Sequence, residues 1–345
     1  MSYSSESRSS FEKLNDVLSS AGRTRTKDRL HTRSRERETA RPVPLRQKQR
    51  RVAKTRVEVI QVPGWLELPW LMHGFSTRTG GKTSAYRPNQ RAGELNLGFT
   101  ASDTRDTVLA NRKLFMTAIA QGTKTTIPSL VTLKQIHSSI TKVVGRADAG
   151  DEARSKADGM MTDERGLLLG IQTADCIPVL IADHRKRAVA AFHAGWRGTL
   201  KRIVEHGVGR MRLEFGSRPD DLIAAVGPGI GPCCYAVGEE VRTEFESQFT
   251  YASDLFYEVF NSDPIREKYP MLFLTARAPG HSNIGPSLHL DLVEANRRQL
   301  IDAGLRVESI YVLGDCTSCF TDRYFSHRAD HGFTGRSLSV IGIRA

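Results

Sequence analysis

Buried-strand patterns constrain the fold of this chain more than any other feature of its sequence. Short, nearly continuous apolar runs occur at residues 167–171, 179–182, 189–192, 222–226 and 310–313. Runs of this length are typical of strands that are covered on both faces. Residues 200–215 and 292–303 instead have the apolar spacing and the length of amphipathic helices. This mixture indicates the α/β class.

The folded part of the chain is expected to begin near Val57. Residues 57–62 alternate apolar and polar side chains as a half-buried strand does, and Pro63-Gly64 marks a turn after them. From there to Arg344, neither an internal repeat nor a Pro/Ser-rich linker divides the sequence. We therefore expect one α/β domain over residues 56–345, a sandwich of mixed β-sheet and helices.

The first 55 residues differ in composition from the rest. They carry 15 Lys and Arg against six acidic residues, which accounts for +9 of the net charge of +12. A segment rich in Ser and Arg buries too little apolar surface to offset the entropy lost on ordering, so we expect a disordered basic arm over 1–55. Its charge suits nucleic acid, an anionic membrane surface or an import receptor, although we favour a solvated tail.

Export and membrane insertion are not expected. No segment approaches 18 consecutive apolar residues, and no apolar region typical of a signal peptide follows the start. The acidic residues of the arm also argue against a transit peptide. We therefore expect a cytoplasmic protein that binds no membrane, and nucleic acid only if the arm does so. Five cysteines, an odd number, favour metal or thiol chemistry over a disulfide framework.

Cys176 and His193 are the strongest candidates for chemistry. Each lies where an apolar strand pattern meets a polar turn, the usual place for a reactive side chain in an α/β protein. Seventeen positions separate them, enough for one strand, a turn and a return strand, so the two ends can meet. His137, at the end of the run 130–137, is a third candidate of the same kind.

Spacing alone leaves three interpretations of these residues open. A thiolate with two imidazoles suits zinc and leaves a fourth position free for water or substrate. Cys176 and His193 equally fit a nucleophile and its general base. A single cysteine or histidine in an apolar segment is also often only a packing residue.

A series of motifs resembles a known family. The motifs lie at residues 73–81, 95–98, 135–137, 157–159, 173–176, 193–198, 227–235, 324–328 and 335–336. In this order, over roughly residues 57–343, they resemble the family of laccase-domain, or polyphenol oxidoreductase, proteins. That family includes purine nucleoside phosphorylases with adenosine deaminase activity and bacterial members linked to peptidoglycan editing. The basic arm is not part of the family pattern.

The resemblance implies a zinc ion bound by His137, Cys176 and His193. It also implies phosphorolysis of adenosine, inosine, guanosine or methylthioadenosine, and deamination of adenosine. Deamination needs a hydroxide at neutral pH, and zinc lowers the pKa of a bound water to about 7. Asp175, beside Cys176, is expected either to move the proton or to orient a ligand histidine. The expected catalytic residues are thus Asp175, Cys176 and His193.

Phosphorolysis also requires a site for phosphate. Arginine suits this anion because its planar guanidinium donates two parallel hydrogen bonds. Arg78, Arg112 and Arg197 are the candidates, and Arg78 is favoured because Gly80-Gly81 would let backbone N–H groups join it around the anion. Asn96 is expected either to hold a ribose hydroxyl or to cap a turn.

The other four cysteines are Cys233, Cys234, Cys316 and Cys319. Cys316 and Cys319 have the CxxC spacing of redox or zinc sites. Because adjacent cysteines chelate one tetrahedral ion poorly, we expect all four to be packing or pocket-wall residues.

Three rival functions remain. One is a cysteine hydrolase, with Cys176 as nucleophile and His193 as base, acting on peptidoglycan-like amides. Another is copper oxidation, against which none of the ten histidines forms an HxH pair. The third is a non-catalytic scaffold whose arm binds a partner.

Overall fold

The computed structural model describes residues 57–87, 93–120, 127–150, 155–259 and 286–345. The basic arm expected over 1–55 lies outside these residues. The described part is a mixed α/β structure, as the sequence predicts, with fourteen strands and five α-helices. None of the described helices combines the length and the apolar character needed to cross a membrane.

Two sheets form the centre of the fold. The first contains, in order across the sheet, β1 (Val59–Ile60), β2 (Leu71–Ser76), β14 (Ser337–Ile343), β7 (Leu167–Thr173) and β4 (Ser129–Thr132). The second contains β13 (Ile310–Val312), β10 (Leu222–Val226), β8 (Ile177–Asp183), β9 (Ala188–Ala194), β6 (Gly159–Thr162) and β5 (Thr141–Val143). Outside them lie β3 (Thr79–Thr83) and the pair β11 (Phe256–Val259) and β12 (Ser287–Leu290).

Five helices accompany the sheets. They are α1 (Arg105–Ala120), α2 (Trp196–Leu200), α3 (Ile203–Phe215), α4 (Glu239–Gln248) and α5 (Leu292–Asp302). Val179 of β8 shares a buried cluster with Met211 of α3, so this helix covers the outer face of the second sheet. On the opposite side, Phe115 of α1 packs in a cluster with Leu168 of β7 and covers the first sheet.

The inner faces of the two sheets pack on each other. Leu169 of β7 and Leu180 of β8 belong to one buried cluster between them. Neighbouring residues of a strand point to opposite faces, so Leu168 and Val179 contact the helices while Leu169 and Leu180 contact the other sheet. Covering on both faces explains why these strands are continuous apolar runs in the sequence.

Two predicted elements differ in the structure. The helix expected over 200–215 is α3, which begins only at Ile203, because Arg202 has a left-handed backbone with φ of 55° that separates it from α2. The strand expected over 57–62 is reduced to β1, where only Val59 and Ile60 pair with β2. The five apolar runs are confirmed as β7, β8, β9, β10 and β13.

Strand pairing positions the candidate site. β8 and β9 are antiparallel neighbours, with Pro178 opposite His193 and Ile177 opposite Ala194. Cys176 directly precedes β8 and therefore lies beside the end of β9 that carries His193. The strand, turn and return strand expected between Cys176 and His193 are thus confirmed.

Candidate functional site

Three residues from separate parts of the chain bring nitrogen and sulfur donors together. Cys176 precedes β8, His193 belongs to β9, and His137 lies in the loop after β4 rather than at a strand end as expected. Their ligand atoms all lie within 4.8 Å of one another, with 3.9 Å between Cys176 Sγ and His137 Nε2. The structure therefore assembles the set of three residues that the sequence singles out.

The backbone around these donors is held in an uncommon shape. His137 has a φ of 58° and Asp175 a φ of 90°, values that residues other than glycine rarely adopt. Such conformations cost about 1–3 kcal/mol each and persist only where the surroundings enforce them. The N–H groups of His137 and Ser138 both donate to the carboxylate of Asp158, at 2.9 and 2.6 Å, which fixes the His137 loop.

Asp158 is the residue that orients His193. Its fully buried carboxylate also accepts a hydrogen bond from His193 Nδ1 at 2.9 Å, which leaves Nε2 for the donor cluster. Burial opposes ionisation of Asp158, but hydrogen bonds from His193 and Ser138 hold its pKa well below the usual range. Asp158 is not among the candidate residues expected from the sequence. Its only signal there is the motif at 157–159.

Cys176 and His193 favour each other's charged form. Burial opposes ionisation of the Cys176 thiol, yet the positive charge of His193 and a hydrogen bond with His137 lower its pKa to about 6. Burial likewise opposes protonation of His193, yet the Cys176 thiolate and Asp158 raise its pKa to about 9. The thiolate is the form in which cysteine binds metals and attacks electrophiles, so the electrostatics suit both chemistries.

The three donors fit one metal ion. With ordinary zinc bond lengths, a nitrogen and a sulfur ligand of a tetrahedron lie about 3.6 Å apart, close to the 3.9 Å between His137 and Cys176. Gly195 makes this approach possible, because a Cβ there would lie 3.0 Å from Cys176 Sγ and 3.1 Å from the His137 ring. His193 is buried whereas His137 is exposed, so the donor cluster extends from the core to the surface of the protein.

A cavity of about 790 Å³ opens in front of the three donors, which all line it. This volume is within the range of sites for small molecules. Phe99, Trp196 and Tyr235 contribute aromatic rings to its wall. Flat apolar rings of this kind can stack on a purine base.

Arginines give the cavity a positive wall. Arg197, Arg328 and Arg336 line it, together with His327. Arg197 lies 4.3 Å above the Trp196 ring and, within the part of the chain that the structure describes, forms no ion pair with a carboxylate. Its charge is therefore available to an anion. Arg328 lies over the Tyr235 ring at 5.2 Å.

Only Arg197 of these three arginines is a candidate from the sequence analysis. Arg328 and Arg336 are missed there as site residues, because they occur only inside the motifs at 324–328 and 335–336. Nothing in their sequence neighbourhood links them to Cys176.

Asp175 lies in the cavity wall, but its carboxylate is already engaged. It accepts the Thr317 hydroxyl at 2.7 Å and the backbone N–H of Arg328 at 2.7 Å. Among the described residues it reaches no ligand histidine, and Asp158 fills that role instead. Asp175 therefore holds the segment 317–328 against the site.

Arg78, the favoured phosphate candidate, lies outside the cavity wall. Its guanidinium is buried, forms an ion pair with the buried Glu94, and contacts Asp330 at 3.3 Å. It also donates to the backbone carbonyls of Thr321 and Tyr324. With its hydrogen bonds committed in this way, Arg78 stabilises the segment that carries His327 and Arg328.

Arg112 and Asn96 also lie behind the wall rather than in it. Arg112 donates to the Leu97 carbonyl and lies 4.4 Å from the Phe99 ring, so it supports that aromatic residue. Asn96 is fully buried, donates to Gly98 and Asp103, and accepts the backbone N–H of Arg336. Both residues shape the cavity from outside, and neither is free to bind phosphate or ribose.

Known proteins resemble this chain over most of its length. Residues 72–344 match the family model described as multi-copper polyphenol oxidoreductase laccase. The purine nucleoside phosphorylase YlmD of Geobacillus stearothermophilus is 34% identical over 277 residues, 79% of this chain and 89% of that protein. The purine nucleoside phosphorylase YfiH of Escherichia coli is 31% identical over 82% of this chain and 98% of its own length.

A solved structure supports the same relationship. The crystal structure of YlmD from Geobacillus stearothermophilus superposes with a TM-score of 0.67 at 30% identity. The superposition covers 87% of this chain and 100% of that one. The sandwich described above is therefore also the fold of a relative named as a nucleoside phosphorylase.

Proposed function

The chain belongs to the family described as multi-copper polyphenol oxidoreductase laccase, and from this premise we propose that it is a zinc-dependent purine nucleoside phosphorylase that also deaminates adenosine. One observation carries the proposal. A single cavity combines the donors His137, Cys176 and His193 with three arginines and three aromatic rings. The names of the relatives support phosphorolysis in particular.

The donor set supports one metal ion rather than a multi-copper centre. A blue-copper site also uses two histidines and a cysteine, but with a weak axial ligand such as methionine, and no methionine lines the described cavity. Among the described residues, the only other cluster of potential ligands consists of cysteines, whereas oxidase copper centres use many histidines. Zinc bound here would act as a Lewis acid and lower the pKa of a bound water.

In phosphorolysis, phosphate would attack C1′ of the nucleoside. The bond from C1′ to phosphate oxygen forms, the bond from C1′ to N9 breaks, and the departing base takes up a proton. Arg197 is the first candidate to bind the phosphate, because its guanidinium lines the cavity without a carboxylate partner among the described residues. Arg328 and Arg336 add positive charge to the same wall. Trp196 and Tyr235 would hold the purine between apolar faces.

In deamination, water would add to C6 of adenosine and ammonia would leave. Asp175 remains the proposed residue for moving the proton, since it is the one carboxylate among the described residues that line the cavity. Each of its oxygens accepts one hydrogen bond and retains a second lone pair for such a role. Cys176 and His193 complete the proposed catalytic set with their metal-binding groups.

Product analysis tests this function. Metal-analysed protein is incubated with adenosine, inosine, guanosine and methylthioadenosine, with and without phosphate, and the products are identified by mass spectrometry. We expect free base and pentose 1-phosphate only when phosphate is present, and inosine from adenosine in either case. Release of base with free ribose in the absence of phosphate would identify a hydrolase instead.

A second candidate is a cysteine hydrolase acting on peptidoglycan-like amides. The observation in its favour is that Asp158, His193 and Cys176 form a chain of acid, base and thiol. In that mechanism His137 has no necessary role, so His137→Ala would retain activity while losing metal. In the phosphorylase, the same substitution would remove both.

The free cysteines also support a proposal for the cellular location of the protein. All five are free thiols in the described structure. Free thiols persist in reducing compartments, and we therefore retain the cytoplasm as the proposed location.

A further inference from the structure

We propose that Cys233, Cys234, Cys316 and Cys319 form a second, structural zinc site that cross-links two loops of the cavity wall. Their four Sγ atoms all lie within 4.8 Å of one another. Cys319 Sγ lies 3.4 Å from both Cys233 Sγ and Cys234 Sγ. In a tetrahedron of four thiolates around zinc, neighbouring sulfurs are about 3.8 Å apart, so this cluster is close to the required shape.

From the sequence we expect these cysteines to be only packing or pocket-wall residues, because adjacent cysteines chelate one ion poorly. The backbone removes this difficulty. The N–H groups of Cys234 and Tyr235 both donate to the Gly231 carbonyl at 3.0 Å, which closes a tight turn. Within this turn the side chains of Cys233 and Cys234 point to the same side and both reach Cys319.

Backbone hydrogen bonding also prepares the cluster for an ion. The Gly231 N–H donates to Cys316 Sγ at 3.2 Å, which holds this sulfur in place within the cluster. The absence of a side chain at Gly231 permits this close approach. A Cβ there would lie 3.3 Å from Cys316 Cβ and 3.4 Å from Cys233 Sγ. Cys233 and Cys319 are exposed, so an ion can enter from solvent.

A disulfide explains the geometry less well than a metal does. A disulfide joins only two sulfurs, at about 2.05 Å, whereas all four sulfurs here lie within 4.8 Å of one another. Here Cys319 is equally distant from Cys233 and Cys234, so neither pair is selected. Zinc would use all four sulfurs, and its binding would release the thiol protons to solvent.

The position of the cluster indicates what the ion does. The segments on either side already pair, since Thr317 N–H donates to the Gly229 carbonyl at 2.9 Å. One segment continues to Tyr235 and the other to Arg328, and both residues line the cavity. An ion between the segments would hold an aromatic ring and a cation of the wall in place. With four protein ligands, the site is closed and therefore structural rather than catalytic.

Metal analysis of the full-length protein tests the proposal. We expect two zinc ions per chain in the wild type, and one in Cys319→Ser, whose exposed side chain makes the substitution tolerable. Cys176→Ser should also retain one zinc, because it alters only the centre with His137 and His193. Ser318→Ala, between the two cysteines of the CxxC pair, should retain both ions. A wild-type zinc content in Cys319→Ser would overturn the proposal.

Cobalt provides a readout that does not depend on the folding of Cys319→Ser. Cobalt bound to the Cys176→Ser protein should show the intense charge-transfer absorption of a site with four thiolates. Cobalt uptake without that absorption, or a disulfide detected by mass spectrometry of the native protein, would overturn the proposal. Loss of zinc from Cys176→Ser bears only on the centre with the two histidines, so the two sites succeed or fail separately.

Discussion

At the scale of single residues, Asp158 organises the proposed metal site without being one of the described residues that line the cavity. Its carboxylate accepts hydrogen bonds from the backbone of the His137 loop and from the ring of His193. The positions of two of the three proposed metal ligands therefore depend on one buried carboxylate. Carboxylates behind a ligand histidine typically account for a factor of about 10–100 in metal affinity.

Asp158→Asn should weaken zinc binding by about 10–100-fold. The neighbours of the Asp158 carboxylate are N–H groups that need an acceptor, and the asparagine NH₂ group would place two further donors against them. Competition with a zinc chelator measures this change, provided that the Cys319→Ser background removes the second proposed ion. Asp163→Asn, at an exposed position nearby in sequence, is the matched control and should bind zinc as the wild type does. Equal affinities in the two variants would show that Asp158 has no part in metal binding.

Arg197→Ala should separate the two proposed reactions. The substitution would remove the proposed bidentate contact to phosphate, worth about 1.5–3 kcal/mol, so phosphorolysis of inosine should fall by about one to two orders of magnitude. Adenosine deamination, which needs no phosphate, should fall much less. Initial rates of both reactions provide the measurement, and Arg212→Ala on the exposed end of α3 is the control. Unchanged phosphorolysis would move the phosphate site to Arg328 or Arg336.

Arg78→Ala should affect stability rather than one reaction selectively. It leaves the buried Glu94 with only the partly exposed Arg87, 3.9 Å away, as an ion-pair partner, so the free energy of unfolding should fall by up to about 3–5 kcal/mol. Both reactions should then decline together. A selective loss of phosphorolysis would restore Arg78 as a phosphate ligand.

At the scale of elements, the strand β9 depends on close packing by α3. Gly207 of α3 lies against the buried ring of Phe192, the residue before His193, and a Cβ on Gly207 would overlap that ring. The same helix contains a second glycine, Gly209, which is exposed and has open space where a Cβ would be. The helix therefore contains a matched pair of sites for one substitution.

Gly207→Ala should lower the free energy of unfolding by about 1–3 kcal/mol, as overpacked cores do. Gly209→Ala should instead raise it by up to about 1 kcal/mol, because alanine is the better helix former. Urea unfolding of both variants measures the difference. Equal effects would mean that α3 does not pack against β9 as closely as described.

The elements also show how far the sequence predicts this fold. β7 to β10 could be located because strands covered on both faces are continuous apolar runs. The break at Arg202 could not, since a left-handed arginine has no compositional signal. The position of Arg336 in the cavity wall could not be predicted either. β14 pairs between β2 and β7, and such long-range pairing brings Arg336 to the cavity without any local pattern.

At the scale of the whole molecule, the described part of the cavity wall includes all three proposed metal donors. The described residues that line this cavity all lie between Phe99 and Arg336, far along the chain from the basic arm of 1–55. A chain beginning near Lys54 should therefore fold and retain nucleoside activity. Comparison of soluble yield and rate with the full chain tests this expectation. Loss of soluble protein on truncation would show that the arm stabilises the domain.

Cys176→Ser tests most directly the claim that one zinc ion makes this cavity a nucleoside enzyme. Zinc content and phosphate-dependent formation of ribose 1-phosphate from inosine are measured on the same preparations of wild type and variant. Because a hydroxyl is a far poorer zinc ligand than a thiolate, we expect the variant to lose about one zinc ion per chain and most of its phosphorolysis. Retention of both the zinc and the activity in the variant would contradict the metal centre of His137, Cys176 and His193.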